Sequence, residues 1–208
     1  MRKRESRITK GIKAKGERGY ISFMKKRTLI RTLIMFGVAA AVFVAGLALN
    51  KWEKGNVFTI IACVLVIPAA RVMTSFILFF PFKTVSEESY DETEKAARAG
   101  SIIYADNVIA SPDKALSLDY LVITGSKIIG QVGRDNEKLY KIQDYMSDTV
   151  RRRGFDYKVT VTDDRNKFLS LLKNSDSAAA IEFESEAEKA AFDAERAELC
   201  KMLESIMI

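Results

Sequence analysis

Two long apolar stretches near the N-terminus constrain the fold of this chain more than any other feature. They cover residues 29–49 and 57–80, and the seven residues between them, 50–56 (NKWEKGN), are mostly polar. A helix needs about 20 apolar residues to cross the hydrocarbon core of a bilayer, and both stretches have that length. Backbone groups in lipid must be hydrogen-bonded within the protein, so a two-segment span has to be helical. The sequence therefore predicts a transmembrane helical hairpin.

The distribution of lysine and arginine gives the predicted topology of the hairpin. Residues 1–27 contain eleven Lys or Arg and two Glu, whereas the loop contains only Lys51 and Lys54 as basic residues. Positive residues collect on the cytoplasmic side of a membrane, and the loop is too short to hold a domain. We therefore predict a multi-pass protein of the plasma membrane with both termini in the cytoplasm. The alternative is a cleaved signal peptide, whose apolar region is only about 7–15 residues long.

The predicted organisation has five parts: a basic cytoplasmic tail (1–27), a first span (28–49), an external loop (50–56), a second span (57–82) and a cytoplasmic domain (83–208). The domain contains 18 basic and 24 acidic residues, so the overall charge of +6 and the pI of 9.2 are properties of the tail. No specific nucleic-acid partner is therefore predicted. The predicted partner is the bilayer, whose anionic headgroups attract nearby basic residues by about 1 kcal/mol each. The residues concerned are Arg2, Lys3, Arg4, Lys25, Lys26 and Arg27.

The chain contains no histidine and only two cysteines, Cys63 and Cys200. Zinc sites of the Cys/His type are therefore excluded, and so are Ser-His-Asp and Cys-His catalysis. Cys63 lies within a predicted span, so the two cysteines do not form a disulfide framework, as expected for a reducing cytosol. The sequence predicts neither a metal site nor a cofactor.

Small residues in the first span form a stripe at four-residue spacing. Gly37, Ala41 and Ala45 would lie on one face of a helix and allow another backbone to approach closely. The simplest interpretation is that this stripe packs against the second span. Packing against a second copy of the chain is the alternative, so a homo-oligomer stays open.

The second span contains a proline and a charge. Pro68 lacks a backbone donor and is predicted either to kink the helix or to end it, with the remainder lying along the membrane surface. Arg71 follows one turn later, about 13 Å by helical rise from Phe80. A charge at this depth is usually functional or paired, yet residues 32–50 of the first span contain no acid. Either the side chain reaches the interface, or it pairs with an acid on another protein.

Hydrophobic patterning in residues 83–208 predicts a small α/β (α+β) domain with the order α-β-β-β-α-β-α-(β)-α. Three helix N-caps are predicted: Ser86, either Asp163 or Asp164, and Ser185, the last in a capping box with Glu188. Residues 116–124 (LSLDYLVIT) and 127–132 (KIIGQV) are predicted strands joined by a hairpin turn. The optional strand covers residues 178–183.

The order of these elements is similar to the core of restriction-endonuclease-like folds. Within that group, residues 116–132 resemble the strand hairpin of nuclease-related domains, in which an Asp on one strand and a Glu-x-Lys on the next hold a divalent metal. Asp119 matches the first position, and residues 128–132 (IIGQV) contain neither the acid nor the lysine. The resemblance covers about 75 residues of the chain. It implies a metal-dependent nuclease centred on Asp119, with Asp106, Asp135 or Glu137 as further ligands.

The whole chain also resembles a group of bacterial two-span membrane proteins. The shared features are the basic start, the Pro-Ala-Ala-Arg sequence at residues 68–71 and the Phe-Phe-Pro-Phe-Lys sequence at residues 79–83. This resemblance implies an architecture and a location.

Together these observations favour a non-catalytic, membrane-anchored interaction or regulatory module with a membrane or cytosolic protein partner. The alternatives are the nuclease-like enzyme and an accessory subunit of a transport complex that uses Arg71.

Overall fold

The computed structural model describes residues 13–52, 55–110, 115–133, 139–176 and 185–208. It has two compact units, residues 21–83 and a second unit made of residues 1–20 together with 84–208. The elements are α1 (Tyr20–Leu49), α2 (Val57–Phe79), α3 (Glu87–Ala96), β1 (Ile102–Ala110), β2 (Ala115–Ile123), β3 (Lys127–Gln131), α4 (Leu139–Arg152), β4 (Lys158–Thr162), α5 (Arg165–Lys173) and α6 (Glu186–Ile206). The predicted fold class, an apolar helical hairpin plus an α/β domain, is confirmed.

Hydrogen bonds link the two helices of the hairpin at both of its ends. At the turn, Asn56 caps α2 by accepting a hydrogen bond from the Thr59 N–H, and its amide group donates to the Gly46 carbonyl. At the open end, Lys25 Nζ on α1 donates to the carbonyl of Phe80, 2.7 Å away, just beyond the last turn of α2. A cation suits this position because the carbonyl end of a helix carries partial negative charge.

Buried positions in the hairpin follow a seam at four- and seven-residue spacing. On α1 the seam includes Thr28, Thr32 and Ala39, and on α2 it includes Ala62 and Ala69. This spacing is the pattern of two helices that pack at a shallow angle. Gly46 continues the seam, since a Cβ at this residue would lie 2.2 Å from the Cβ of Phe58.

The predicted stripe of small residues lies elsewhere on α1. Gly37, Ala41 and Ala45 are all exposed, and a Cβ at Gly37 would meet nothing within 4 Å. The expectation that this stripe packs against the second span is therefore wrong. The stripe and the seam lie on different faces of α1, because the buried positions of the seam are a different set of residues on the same helix.

Pro68 does not end the second apolar helix. α2 continues from Val57 to Phe79 with Pro68 inside it. The alternative in which the helix breaks at residues 68–70 is therefore wrong.

The α/β unit is built on a four-stranded sheet in the order β1-β2-β3-β4. β1 and β2 are antiparallel, β2 and β3 are antiparallel, and β3 and β4 are parallel. The predicted succession of helices and strands is found in this order. The optional strand at residues 178–183 lies outside the described residues. The β2–β3 connection is the predicted hairpin turn, where the Thr124 N–H donates to the Lys127 carbonyl.

Helices cover both faces of the sheet. One core cluster contains side chains of α4 and α6, such as Met146 and Leu203, together with strand residues such as Leu118. The other contains Phe168 of α5 and Ala96 of α3. The unit is therefore a three-layer α/β/α arrangement.

The alternation of side chains shifts by one residue in the middle of β1 and β2. Leu118 and Leu121 are three residues apart and yet belong to the same core cluster, which strict alternation forbids. The register pairs Ala105 with Tyr120 and Asn107 with Leu118, so the shift occurs where Asp106 faces Asp119. Asp106 has a left-handed backbone, with φ of 53°. The distortion removes two carboxylates from the regular pattern of the strands.

Candidate functional site

Asp106 is the only charged residue that is buried among the residues that the structure describes. It is only 1% exposed and accepts two backbone hydrogen bonds. The Gly19 N–H donates to Oδ2 at 2.6 Å, and the Val85 N–H donates to Oδ1 at 2.9 Å. We call this arrangement, Asp106 with the N–H groups of Gly19 and Val85, the Asp106 clasp. Gly19 directly precedes α1 and Val85 follows α2, so the clasp binds the chain just before and just after the hairpin.

Two opposing effects act on the ionisation of Asp106. Burial raises the pKa of its carboxyl above 3.8, and the two backbone N–H groups, the Thr84 hydroxyl and the charge of Lys13 act in the opposite direction. Burial is the larger effect. Hydrogen bonds to the charged form are what compensate a buried carboxylate, and the clasp supplies two of them.

The segment of residues 13–19 packs against β1 and extends the contact made by the clasp. The Gly16 carbonyl accepts a hydrogen bond from the Ala105 N–H at 2.8 Å. Gly16 lies against the ring of Tyr104, and a Cβ there would come within 2.2 Å of the ring. With φ of +80°, this position also has the backbone conformation that suits glycine.

Charged side chains fasten the same segment at two further points. Lys15 Nζ donates to the carbonyl of Met207 at 2.7 Å, and Arg18 forms an ion pair with Glu87 at 3.2 Å. The sequence indicated only a basic tail over residues 1–27. In the structure, hydrogen bonds and an ion pair hold residues 15–19 of this tail against the α/β unit.

Asp119 lies opposite Asp106 and is half-buried on β2. Burial raises the pKa of its carboxyl, the negative charge of Asp106 raises it further, and the positive charge of Arg165 opposes both. Gly133 lies beside this carboxylate, and a Cβ at Gly133 would be in ordinary van der Waals contact with Asp119 Oδ2, 3.4 Å away. Perturbed carboxylates of this kind are common at functional sites and also occur in structural networks.

Arg165 occupies the surface beside Asp119. Its guanidinium donates to Gln131 Oε1 at 2.8 Å and to the Ser89 carbonyl at 2.6 Å, and it forms an ion pair with Glu92 at 3.3 Å. It also lies over the ring of Tyr120, 5.2 Å from the centroid. Gln131 stands on β3, where the nuclease resemblance expects an acid, and its oxygen is engaged by Arg165.

The residues named as further metal ligands are not all brought together. Asp106 is close to Asp119, but both of its oxygens accept backbone N–H groups. Asp135 and Glu137 lie outside the described residues. Within the described part of the chain, there is no group of three His, Cys, Asp or Glu residues able to hold a metal ion.

The basic residues predicted to contact anionic lipid differ in their surroundings. Lys26 is exposed, whereas Lys25 binds the Phe80 carbonyl and Arg27 lies over the ring of Phe23. Arg2, Lys3 and Arg4 lie outside the described residues.

The clasp was missed by sequence reasoning, which named Asp106 only as an accessory to Asp119. Two signals were available. Gly16 and Gly19 interrupt a charged segment at three-residue spacing, and glycines in such a segment indicate turns. Asp106 follows an apolar run that is otherwise strand-like, where an acid is unusual.

Comparison with protein-family models, with curated proteins and with solved structures finds no match for this chain.

Proposed function

We propose that this chain is a membrane-anchored interaction or regulatory module whose α/β domain is coupled to a transmembrane hairpin through the Asp106 clasp. One observation carries the proposal. A single buried carboxylate accepts hydrogen bonds from the N–H of Gly19, which directly precedes α1, and from the N–H of Val85, in the segment that joins α2 to α3. Movement of either end of the hairpin therefore acts on the same point of the sheet, which is what a module that relays a membrane event to a domain requires.

The exposure of the hairpin supports its place in a membrane. Only 17% of the most apolar window of α1 and 11% of that of α2 is buried within the protein. A core helix of a soluble protein would bury most of these side chains, so their remaining surface needs lipid or another protein. The basic residues beside the open end, with Lys26 exposed among them, favour a cytoplasmic location for that end.

Labelling of single cysteines tests the topology. In a chain with Cys63→Ala and Cys200→Ala, we would introduce Gly55→Cys in the loop or Ser205→Cys in the domain. A membrane-impermeant maleimide should label Gly55→Cys in intact cells and Ser205→Cys only after permeabilisation. The reverse pattern would contradict the proposed orientation, and equal labelling of both in intact cells would contradict the membrane hairpin.

Co-purification tests the role as an interaction module. Full-length protein extracted in mild detergent should retain a partner in stoichiometric amount. Asp106→Asn should lose that partner, whereas the exposed Asp148→Asn should keep it. Catalytic turnover by the purified chain that is abolished by one side-chain substitution would refute a non-catalytic role.

The second candidate is a metal-dependent nuclease-like enzyme centred on Asp119. The observation that favours it is the sheet topology, together with a half-buried carboxylate on β2 whose pKa is raised. Divalent metals of this class need several oxygen ligands, so this candidate requires ligands beyond Asp119. Mg²⁺-dependent cleavage that is lost in Asp119→Ala and kept in Asp148→Ala would establish it.

A further inference from the structure

Arg71 points away from the partner helix of the hairpin. Ala69, two residues earlier, is fully buried in the seam, and two residues correspond to about 200° of rotation around a helix. Arg71 is accordingly exposed. Among the described residues, its guanidinium has neither a hydrogen bond nor an ion pair.

The position of Arg71 along α2 keeps its charge away from the nearer end of the helix. Phe79, the last residue of α2, is eight residues further on, or about 12 Å by helical rise. The Cα–Cβ bonds of a helix tilt towards its N-terminus. The side chain of Arg71 therefore starts in the direction away from Phe79, which opposes simple extension to that interface.

Two hydroxyl side chains continue the polar character of this face. Thr74 and Ser75 are three and four residues after Arg71, so they lie on the same side of the helix, and both are exposed. Thr74 Oγ1 donates to the Ala70 carbonyl within the helix. We call Arg71, Thr74 and Ser75 the polar strip of α2.

Charge complementarity indicates what covers the polar strip. An uncompensated cation at membrane depth is costly, and a carboxylate is the group that neutralises it most directly. A second copy of the chain cannot supply one at this depth, because Glu53 in the loop is the only acid in residues 21–82. The occupant therefore has to be a different chain.

We propose that the polar strip is the docking surface for a transmembrane helix of another protein that carries an aspartate or glutamate at the depth of Arg71. The Arg71 guanidinium pairs with the carboxylate, and the Ser75 hydroxyl is a further donor within one turn. This inference deepens the proposed function by naming the chemistry of a partner, and it rests on the proposed membrane span.

Association with model helices tests the inference directly. Full-length protein would be reconstituted in phosphatidylcholine vesicles with fluorescent Leu/Ala peptides that carry a central Asp or, as the matched peptide, Leu at that position. Energy transfer from labelled protein to peptide gives the association constant. We expect the Asp peptide to bind wild-type protein at least tenfold more tightly than the Leu peptide. Arg71→Leu should abolish this difference, whereas Arg31→Leu, which removes an exposed cation from α1, should leave it unchanged.

Two outcomes would overturn the inference. Equal binding of the Asp and Leu peptides to wild-type protein would show that the strip does not select a carboxylate. Loss of the Asp preference when anionic phosphatidylglycerol is added would show that lipid headgroups occupy Arg71 instead. Extraction of the vesicles with alkaline carbonate separates these failures from that of the proposed function, because release of the protein would contradict the membrane hairpin itself.

Discussion

Replacing Asp106 by Asn should release the chain on both sides of the hairpin from the α/β domain. Asparagine has nearly the same size and tolerates the left-handed backbone observed here. It keeps one acceptor oxygen but turns an NH₂ group towards the second backbone N–H. One charge-assisted hydrogen bond is therefore lost and the other becomes a neutral one.

The size of the effect follows from the two bonds of the clasp. Hydrogen bonds to charged groups contribute about 1.5–3 kcal/mol each to stability, whereas neutral ones contribute about 1 kcal/mol. Loss of one such bond corresponds to local opening that is about tenfold to a hundredfold more frequent. The amides of Gly19 and Val85 should show this increase, because they are the two donors.

Hydrogen exchange followed by mass spectrometry measures this opening in full-length protein in detergent. Peptides covering residues 13–20 and 84–90 should exchange faster in Asp106→Asn, while peptides of α4 should not change. Asp148→Asn is the matched control, since it neutralises an aspartate on α4 whose side chain is 54% exposed. Unchanged exchange in both segments of Asp106→Asn would refute the claim that the carboxylate holds them.

Three further predictions concern two glycines, each with a matched glycine for comparison, and the carboxylate of Asp119. Gly16→Ala should lower the free energy of unfolding by more than Gly154→Ala. Both glycines have a similar positive φ, but Gly154 has open space around it. The difference between the two variants, about 1–3 kcal/mol for overpacking, should be measurable in urea titrations. Asp119→Asn should raise the thermal midpoint at neutral pH, and this gain should vanish as the pH falls below 3.8. The reason is that the pKa of Asp119 is raised in the folded state. The stability that this group contributes is therefore present at low pH and is lost as the pH rises through the folded-state pKa. A wild-type and Asp119→Asn difference that is independent of pH would contradict this assignment. Gly46→Ala should destabilise the hairpin in detergent by about 1–3 kcal/mol through overpacking of the seam. Gly37→Ala should leave the stability of the hairpin unchanged, because nothing lies within 4 Å of a Cβ at that position. The opposite ranking of the two variants would show that the seam is misassigned.

The parts of the fold that depend on local patterns could be predicted from the sequence. The lengths of the apolar stretches predicted both hairpin helices, and the side chains of Ser86 and Ser185 cap α3 and α6 as expected. For α5 the sequence left two candidates, and the structure shows that Asp164 rather than Asp163 is the cap. Each of these features is determined by residues a few positions apart. Periodicity and capping chemistry are therefore sufficient to recognise them.

Features that depend on distant residues could not be predicted in this way. The clasp joins Asp106 to Gly19, which is 87 residues away, and nothing in either neighbourhood specifies the other. The helix seam was placed on the wrong face because small residues occur on more than one side of α1, and only the position of α2 distinguishes them. Likewise, the shift at Asp106 and Asp119 breaks the two-residue alternation on which strand assignment relies.

The outer edge of β1 is closed by segments from far apart in the chain, and this has a consequence for biosynthesis. The Ala105 N–H bonds to Gly16, and the Val108 carbonyl accepts from the Ile208 N–H. At a synthesis rate of about 5–20 residues per second, the second half of this edge stays open for about 5–20 s after β1 has been made. An unpaired strand edge is a template for association with other chains. Ribosomes translating neighbouring copies on one message would therefore hold several open edges close together at once, and chaperone demand should be greatest during that interval.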